Sequence, residues 1–272
     1  MSSIWRPVRE RAPARSLMVV VAHPGDEAFG FGGAIASAAA AGAYVVVVCV
    51  TRGWFDARLT SGSPAAGGKN RDVKLGAINW RNIDTVREDE LRRSVALLGV
   101  RVVRMLDYAE GDLDRENFDN LVGRIVEPIR MHRPEVILSF GPDGATGDAD
   151  HVVLARAVRA AYDRAAEPLA YEDDLEEDQV AWRAAKLYEL VVPEGSVASP
   201  GEATVALEIG DLAQLKLAAI SRHVSQTGSA GPFHDWGSDR RDAWLGTEHY
   251  RLAASALPLK VGGEASLFDG LP

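Results

Sequence analysis

The chain has 272 residues, of which 47% are hydrophobic, and its formal net charge at pH 7 is −9. This apolar fraction suffices for a sizeable core, and we expect a single domain over residues 1–272. An acidic chain without a basic cluster argues against nucleic acid or a membrane surface as a partner. No apolar stretch is long enough to span a bilayer, and the single cysteine, Cys49, excludes an internal disulfide. We therefore expect a soluble, cytoplasmic protein.

The predicted elements alternate between short apolar strands and helices. Continuous apolar runs, such as the valine-rich run at 44–50, are typical of strands buried on both faces of a parallel sheet. The alternation predicts an α/β fold with a Rossmann-like, doubly wound and mostly parallel sheet. In chain order, strands are predicted at 17–22, 44–50, 100–105, 135–140 and 186–193, and helices at 28–41, 88–98, 115–132, 149–165 and 212–223.

Two stretches interrupt this alternation. Residues 53–85 form a long, glycine-bearing segment of mixed polarity, and such a loop in a compact domain is usually functional or mobile. Residues 172–178 are acidic and are predicted to form a solvated loop. Trp54 and Trp80 bracket the long segment, where their rings would either cover a flat ligand such as a sugar or pack within the loop.

The first candidate site follows the first predicted strand, in the turn Ala22-His23-Pro24-Gly25-Asp26-Glu27. An imidazole and a carboxylate three residues apart in a turn, here His23 and Asp26, can reach one cation, and both groups are usual zinc ligands. The structural alternative is a His-Pro turn whose acids cap the following helix. From this motif alone, both interpretations stay open.

A second candidate site, Gly147-Asp148-Ala149-Asp150-His151, also lies between a predicted strand and a helix. In the purely structural interpretation, Asp148 is an N-cap, and Asp150 and His151 face solvent in the first helical turn. However, the carboxyl ends of parallel strands share one edge of the sheet, where ligands bind. Because both motifs fall on that edge, a metal site shared by the two motifs stands beside the capping interpretation.

Five segments of the chain form an ordered set of motifs. They are residues 22–33, Arg87-x-x-Glu90-Leu91 with Leu98-Gly99-Val100, residues 147–151, His223-x-Ser225-Gln226, and Gly246-Thr247-Glu248-His249-Tyr250. In this order they resemble the LmbE-like, or PIG-L, zinc de-N-acetylases, which remove acetyl groups from N-acetylglucosaminyl conjugates and related compounds. The resemblance covers nearly the whole chain and implies one deacetylase domain with the LmbE-like fold.

The resemblance also implies roles for individual residues. His23, Asp26 and His151 fall on the three metal ligands of the family. A catalytic zinc ion generally has three protein ligands and one position open to water, whose pKa it lowers toward ~7, and it polarises an amide carbonyl. Arg87 falls on a position that contacts substrate in some members. Asp150 precedes the ligand His151, and we expect it to orient that ring from behind.

The strand topology adds Glu110 to this site. Glu110 follows the strand predicted at 100–105, and Arg87 starts a helix after the long loop. Both are expected on the carboxyl-end side of the sheet, with Arg87 pointing toward the metal crevice and Glu110 at its rim, as substrate-binding residues. The alternative for Arg87 is a surface ion pair without function. The expected partner is a small N-acylated molecule, and the oligomeric state stays open, a homo-oligomer included.

The chain departs from the family at two catalytic positions. The general base of the family is the first acid of an Asp-Asp pair, and that position is Gly25 here. A family histidine thought to stabilise the oxyanion is replaced by Asp148. Loss of a general base generally costs about 10²–10⁴-fold in rate. Either Asp148 takes the proton instead and hydrolysis is retained, which we favour, or the metal site now binds a ligand or performs other chemistry.

A third function class, nucleotide binding, would depend on the glycines of the first segment. Gly30, Gly32 and Gly33 resemble part of a dinucleotide fingerprint, but that fingerprint occupies the turn directly after the strand. Here the His-Pro-Gly-Asp-Glu turn takes that place and the glycines come later. We therefore expect the glycines to allow close packing of the helix.

Overall fold

The structure is a computed structural model that describes residues 15–53, 82–171, 180–192, 203–227, 233, 237–258 and 264–272. Within these residues, seven strands form one sheet in the order β3-β2-β1-β4-β5-β7-β6. Their bounds are β1 Ser16–Val21, β2 Tyr44–Thr51, β3 Val102–Tyr108, β4 Val136–Phe140, β5 Lys186–Val191, β6 Val205–Glu208 and β7 Thr247–Ser255. β1 to β5 pair in parallel, whereas β7 runs antiparallel to β5 and β6. The predicted, mostly parallel α/β sheet is confirmed.

The described helices fall into two packing groups. Their bounds are α1 Asp26–Ala40, α2 Ile83–Leu97, α3 Phe118–His132, α4 Ala149–Arg164, α5 Ala213–Ile220, α6 Val224–Thr227 and α7 Ser238–Gly246. α1 packs on β1 and β2 and contacts α2 and α5, while α4 packs on β1 and β4 and contacts α3. The two helices that begin at the candidate motifs, α1 and α4, therefore both rest on the central strand β1.

Burial of the central strands explains their apolar sequences. β1 reads Ser-Leu-Met-Val-Val-Val and is wholly buried after its first residue. β2 is likewise buried after Tyr44. A strand that is covered on both faces has no solvent-facing side, so it carries no alternation of polar and apolar residues. Cys49 is buried within β2.

Local pattern predicts the inner elements and misses those near one edge of the sheet. Five strands and five helices are confirmed with displaced ends, but β6, β7, α6 and α7 are not predicted. β6 has four residues, and β7 has mixed polarity and is half-buried along most of its length. Neither strand carries the continuous apolar run that marks an inner strand. The helix predicted over 115–132 is a 3-10 turn at Leu113–Arg115 followed by α3.

The strand order reverses beside β1, and this reversal places the candidate site. β2 and β3 lie on one side of β1, whereas β4 lies on the other. Doubly wound sheets bind ligands at such a reversal, beyond the carboxyl ends of the strands. The turn that contains His23 follows β1, and residues 141–151 follow β4 and lead into α4. The two candidate motifs therefore meet at the reversal.

The glycines of α1 allow the β6–β7 region to approach the helix closely. A Cβ on Gly33 would lie 2.5 Å from Ile209 Cδ1 and 2.9 Å from Glu248 Oε1. The backbone amides of Gly33 and Ala34 donate to the Glu248 carboxylate at 2.7 and 2.8 Å. Lys216 Nζ donates to the same carboxylate at 2.8 Å. The glycines therefore serve helix packing, as predicted.

Two of the loop predictions fall largely outside the described residues. These are most of the segment 53–85, with Trp54 and Trp80, and the acidic loop at 172–178. Near the end of the first segment, α2 already begins at Ile83. None of the helices in the described ranges combines the length and the apolar character needed to cross a bilayer.

Candidate metal centre

Three side chains converge where the turn after β1 meets the start of α4. Asp26 is the first residue of α1, His23 lies in the turn before it, and His151 belongs to the first turn of α4. His23 Nδ1 lies 3.3 Å from His151 Nε2. Asp26 Oδ2 lies 3.6 Å from His23 Nδ1 and 3.3 Å from His151 Nε2. The structure thus brings together the three residues predicted as metal ligands, and their role as ligands stays a prediction.

The other nitrogen of each imidazole ring is held by an acceptor. His23 Nε2 lies 3.0 Å from Asp150 Oδ2. His151 Nδ1 lies 3.0 Å from the Gly144 carbonyl oxygen and 3.2 Å from Thr146 Oγ1. In the tautomers that donate to these acceptors, the protons sit on His23 Nε2 and His151 Nδ1. His23 Nδ1 and His151 Nε2 are then the nitrogens on the side of Asp26 that can bind a metal ion in place of a proton.

Asp150 supports a different histidine from the one that the sequence indicates. Adjacency in the sequence suggests His151 as its partner, but in the structure the Asp150 carboxylate binds His23. The same carboxylate accepts hydrogen bonds from the amides of Gly111, at 2.6 Å, and Leu113, at 3.1 Å. Consecutive residues of a helix point about 100° apart, so the side chain of Asp150 turns away from that of His151.

The donor set fits a divalent metal ion. Ligand atoms about 2.0–2.1 Å from a tetrahedral zinc ion stand roughly 3.3 Å apart, close to the 3.3, 3.3 and 3.6 Å observed here. The Asp26 carboxylate stabilises positive charge on or between the two rings, whether that charge is a proton or a metal ion. Burial by itself would lower the pKa of His23, but the hydrogen bond to Asp150 and the nearby acids raise it to about 9. The pocket therefore favours positive charge.

Asp148 caps α4 and also stands beside the metal donor set. Its Oδ1 accepts hydrogen bonds from the amides of Asp150, at 2.9 Å, and His151, at 3.3 Å. One of its carboxylate oxygens lies within 4.8 Å of ring nitrogens of both His23 and His151. Asp148 can therefore cap α4 and lie beside the metal donors at the same time. A carboxylate at this distance is near enough to act through one intervening water.

Arg87 and Glu110 form an ion pair beside the turn after β1, with little exposure of either side chain. Arg87 lies in α2, and its guanidinium also donates to the carbonyl oxygens of Gly53, at 2.8 Å, and Pro24, at 3.4 Å. The pair is therefore largely buried and not on the surface. Arg87 braces the backbone of the turn His23-Pro24-Gly25-Asp26, which is called the metal turn below. Substrate binding by Arg87 and Glu110 stays a prediction.

One acid behind the metal turn, Glu27, is not singled out by the sequence. It is fully buried, and its Oε2 accepts a hydrogen bond from the Gly25 amide at 2.8 Å. Its Oε1 accepts from Ser94 Oγ at 2.6 Å and lies 2.7 Å from His223 Nε2. Burial lowers the pKa of His223, but Glu27 outweighs that effect and the net shift is upward. In the sequence, Glu27 is indistinguishable from an ordinary acid in the first turn of a helix.

The fold and the site together define an α/β protein with a candidate metal centre at the strand-order reversal of its sheet. Comparison of the sequence with known families identifies the family of the chain. The profile of the PIG-L family, described as GlcNAc-PI de-N-acetylase, matches residues 18–162, a range that contains His23, Asp26 and His151. The chain belongs to this family, and the resemblance inferred from its motifs is confirmed.

Relatives and solved structures are similar to this chain over nearly their full length. A 1D-myo-inositol 2-acetamido-2-deoxy-alpha-D-glucopyranoside deacetylase from Streptomyces griseus is 30% identical over 96% of this chain and 90% of its own. N,N'-diacetylchitobiose deacetylase from Pyrococcus horikoshii superposes with a TM-score of 0.68 at 19% identity, covering 88% of this chain and 83% of that one. GalB, the 4-carboxy-2-hydroxymuconate hydratase from Pseudomonas putida KT2440, superposes with a TM-score of 0.63 at 18% identity. The superposition covers 91% of this chain and 99% of GalB. Proteins named for different reactions thus share this fold.

Proposed function

We propose that the protein is a metal-dependent hydrolase that removes the N-acetyl group from an amino-sugar conjugate. The observation that carries this proposal is the convergence of His23, Asp26 and His151 at the strand-order reversal, in a chain of the PIG-L family. The relative from Streptomyces griseus is named for deacetylation of an acetamido-deoxyglucose linked to inositol. An N-acetylglucosaminyl conjugate is therefore the proposed class of substrate.

The proposed metal is zinc, with His23, Asp26 and His151 as its ligands. Two imidazole nitrogens and a carboxylate oxygen form a usual donor set for a catalytic zinc ion. When bound, the ion supplies Lewis acidity toward the acetyl carbonyl and activates water for attack. Asp150 and the Gly144 carbonyl would hold the two rings in place for His23 Nδ1 and His151 Nε2 to bind the ion.

Asp148 is proposed as the general base in place of the acid that position 25 lacks. A base must reach the attacking water directly or through one other water, and the Asp148 carboxylate is within that range of the metal donors. Its Oδ1 is engaged by the helix amides, so Oδ2 is the oxygen that takes the proton. The protonated carboxyl group then returns this proton to the amine as the C–N bond breaks, which releases acetate and the free amino sugar.

Arg87 and Glu110 are proposed to bind the sugar beside the scissile amide. The side chain of Glu110 is 16% exposed, and its ion pair with Arg87 holds the carboxylate in place. An ionised carboxylate accepts hydrogen bonds in several directions, which suits the hydroxyl groups of a sugar. The pair therefore contributes a pre-ordered acceptor on one wall of the crevice.

A second candidate function is ligand binding or non-hydrolytic chemistry at the same metal. Gly25 is the specific observation that favours it, because this position has no side chain to act as a base. The fold shared with a protein named as a hydratase is compatible with this second function. Hydrolysis remains the preferred function because Asp148 supplies a carboxylate from the other motif.

Two measurements on purified protein test these functions. The zinc content of the wild type should be close to one equivalent and should fall sharply in His151→Ala, whereas His132→Gln, outside the site, should retain it. Amine release is then followed with 1D-myo-inositol 2-acetamido-2-deoxy-α-D-glucopyranoside, N,N'-diacetylchitobiose and N-acetylglucosamine. Full zinc retention in His151→Ala would contradict the ligand set. Stoichiometric zinc without amine release from any of the three compounds would favour the second function.

A further inference from the structure

The metal turn is covered by a side chain from a distant helix. Gly25 lies between His23 and Asp26 with a φ of +113°, a conformation that residues with a side chain rarely adopt. A Cβ built on Gly25 would overlap Gln226 Oε1 and would lie 3.1 Å from Gln226 Cδ. The carboxamide of Gln226 therefore fills the space into which a side chain at position 25 would project.

Two buried acids hold α6, the helix that carries Gln226, against this turn. His223 directly precedes α6, and its Nε2 lies 2.7 Å from Glu27 Oε1. The Ser225 amide donates to Glu90 Oε1 at 2.8 Å, and the Ser225 hydroxyl donates to Glu90 Oε2. A helix of one turn has no stability of its own in water, so these bonds determine where it sits. Gln226 follows these anchors, and its exposed side chain reaches the metal turn.

One carboxylate ties the turn and α6 to each other. Glu27 Oε2 accepts from the Gly25 amide, and Glu27 Oε1 binds the His223 ring. Both the backbone of the turn and the anchor of α6 are therefore attached to the same fully buried side chain. This shared attachment fixes the position of Gln226 relative to Gly25.

We propose that Gln226 is an active-site residue whose carboxamide stands in for the missing side chain at position 25 and orients the attacking water. This inference rests on the proposed hydrolase function. The carboxamide oxygen accepts a hydrogen bond from water and so directs its approach to the acetyl carbonyl, but the group does not take up the proton. The proton passes to Asp148. Two residues thus divide the task that a single acid performs in the family.

This arrangement determines where a carboxylate can be reintroduced. Gly25→Asp would force a left-handed conformation on a residue with a side chain and would displace Gln226, so we expect a lower melting temperature and no gain in turnover. Gln226→Glu keeps the shape of the side chain and places a carboxylate in the same space without backbone strain.

Zinc affinity tests the placement of Gln226 independently of turnover. Metal-free protein competes with a chromogenic chelator for Zn²⁺. Gln226→Glu is expected to bind zinc about tenfold more tightly, because it adds a negative charge beside the cation. Val224→Glu, which adds the same charge at another exposed position of α6, should leave the affinity within about twofold of the wild type. Equal effects of the two substitutions on zinc affinity would show that Gln226 does not lie beside the metal site.

Steady-state kinetics test the role in orienting water. Gln226→Ala should lower kcat about 3–10-fold, the effect of one lost hydrogen bond, with zinc content and KM unchanged. Asp148→Asn combined with Gln226→Glu should turn over faster than Asp148→Asn alone, because a carboxylate is again available to accept the proton. A wild-type kcat in Gln226→Ala would overturn this role. If the wild type releases no amine, the proposed hydrolase function is wrong. The zinc affinities would still decide whether Gln226 lies beside the metal site.

Discussion

His223 and Glu27 form an ion pair in which both side chains are completely buried, with 2.7 Å between Nε2 and Oε1. The pair lies directly behind the metal turn, because the same carboxylate accepts the hydrogen bond of the Gly25 amide. The two partners are 196 positions apart in the chain. The conformation of the metal turn therefore depends on a residue that is distant in the sequence.

Breaking this pair is expected to destabilise the protein strongly. His223→Ala leaves Glu27 buried without its main partner, and loss of one member of a buried ion pair generally costs about 3–5 kcal/mol. We expect a loss of this size in the free energy of unfolding, measured by urea denaturation at pH 7. Arg93→Ala, which breaks an exposed pair with Asp89, is the control and should cost about 0–1 kcal/mol. Similar small losses in both variants would show that the buried pair does not brace the turn.

Asp150 is expected to control metal affinity through the His23 ring. Asp150→Asn removes the negative charge that holds His23 Nε2, and loss of such a partner typically costs 10–100-fold in metal affinity. Zinc affinity is measured by competition with a chelator. Asp163→Asn removes an exposed acid of the same helix and should have no effect. An Asp150→Asn affinity equal to that of this control would refute the supporting role.

Asp148→Asn separates the capping role of Asp148 from its proposed role as base. The asparagine oxygen can still accept from the amides of Asp150 and His151, so the cap, the melting temperature and the zinc content should be retained. Amine release should fall about 10²–10⁴-fold. Asp148→Ala loses the cap as well and should cost a further ~0.5–2 kcal/mol of stability. Unchanged turnover in Asp148→Asn would mean that another group accepts the proton.

His132 is expected to make the protein less stable in acid. Its Nδ1 lies 3.3 Å from the Tyr44 hydroxyl group. Burial, with a smaller contribution from the charge of Arg104, lowers the pKa of His132 to about 4. The unfolded chain binds a proton at the ordinary histidine pKa of about 6.5. Between these values the unfolded state holds a proton that the folded state lacks, so stability is lost as the pH falls from about 6.5 toward 4.

The variant His132→Gln has no such proton to bind. Urea unfolding at pH 7.5 and pH 5.0 should therefore show a larger loss of stability over this interval in the wild type than in His132→Gln. Equal losses in the two proteins would assign the acid sensitivity to other groups.

The sequence by itself determined the centre of the fold and the two turns that meet there. β1 is apolar after Ser16 and β2 is apolar up to Thr51, because both strands are buried, and a continuous apolar run is visible without any knowledge of its neighbours. The turns with His23 and His151 follow strands that run in the same direction, and this topology alone places them at one edge of the sheet.

Only the tertiary structure decided which side chains contact and support those turns. Asp150 is adjacent to His151 in the chain but binds His23, because consecutive helical residues point in different directions. Gln226 covers Gly25, and His223 pairs with Glu27, because α6 contacts α2 and lies beside the turn that precedes α1. Periodicity and propensity report which face of a segment is buried, but they do not report what it is buried against. Contacts across nearly two hundred residues arise only when the sheet brings distant helices together.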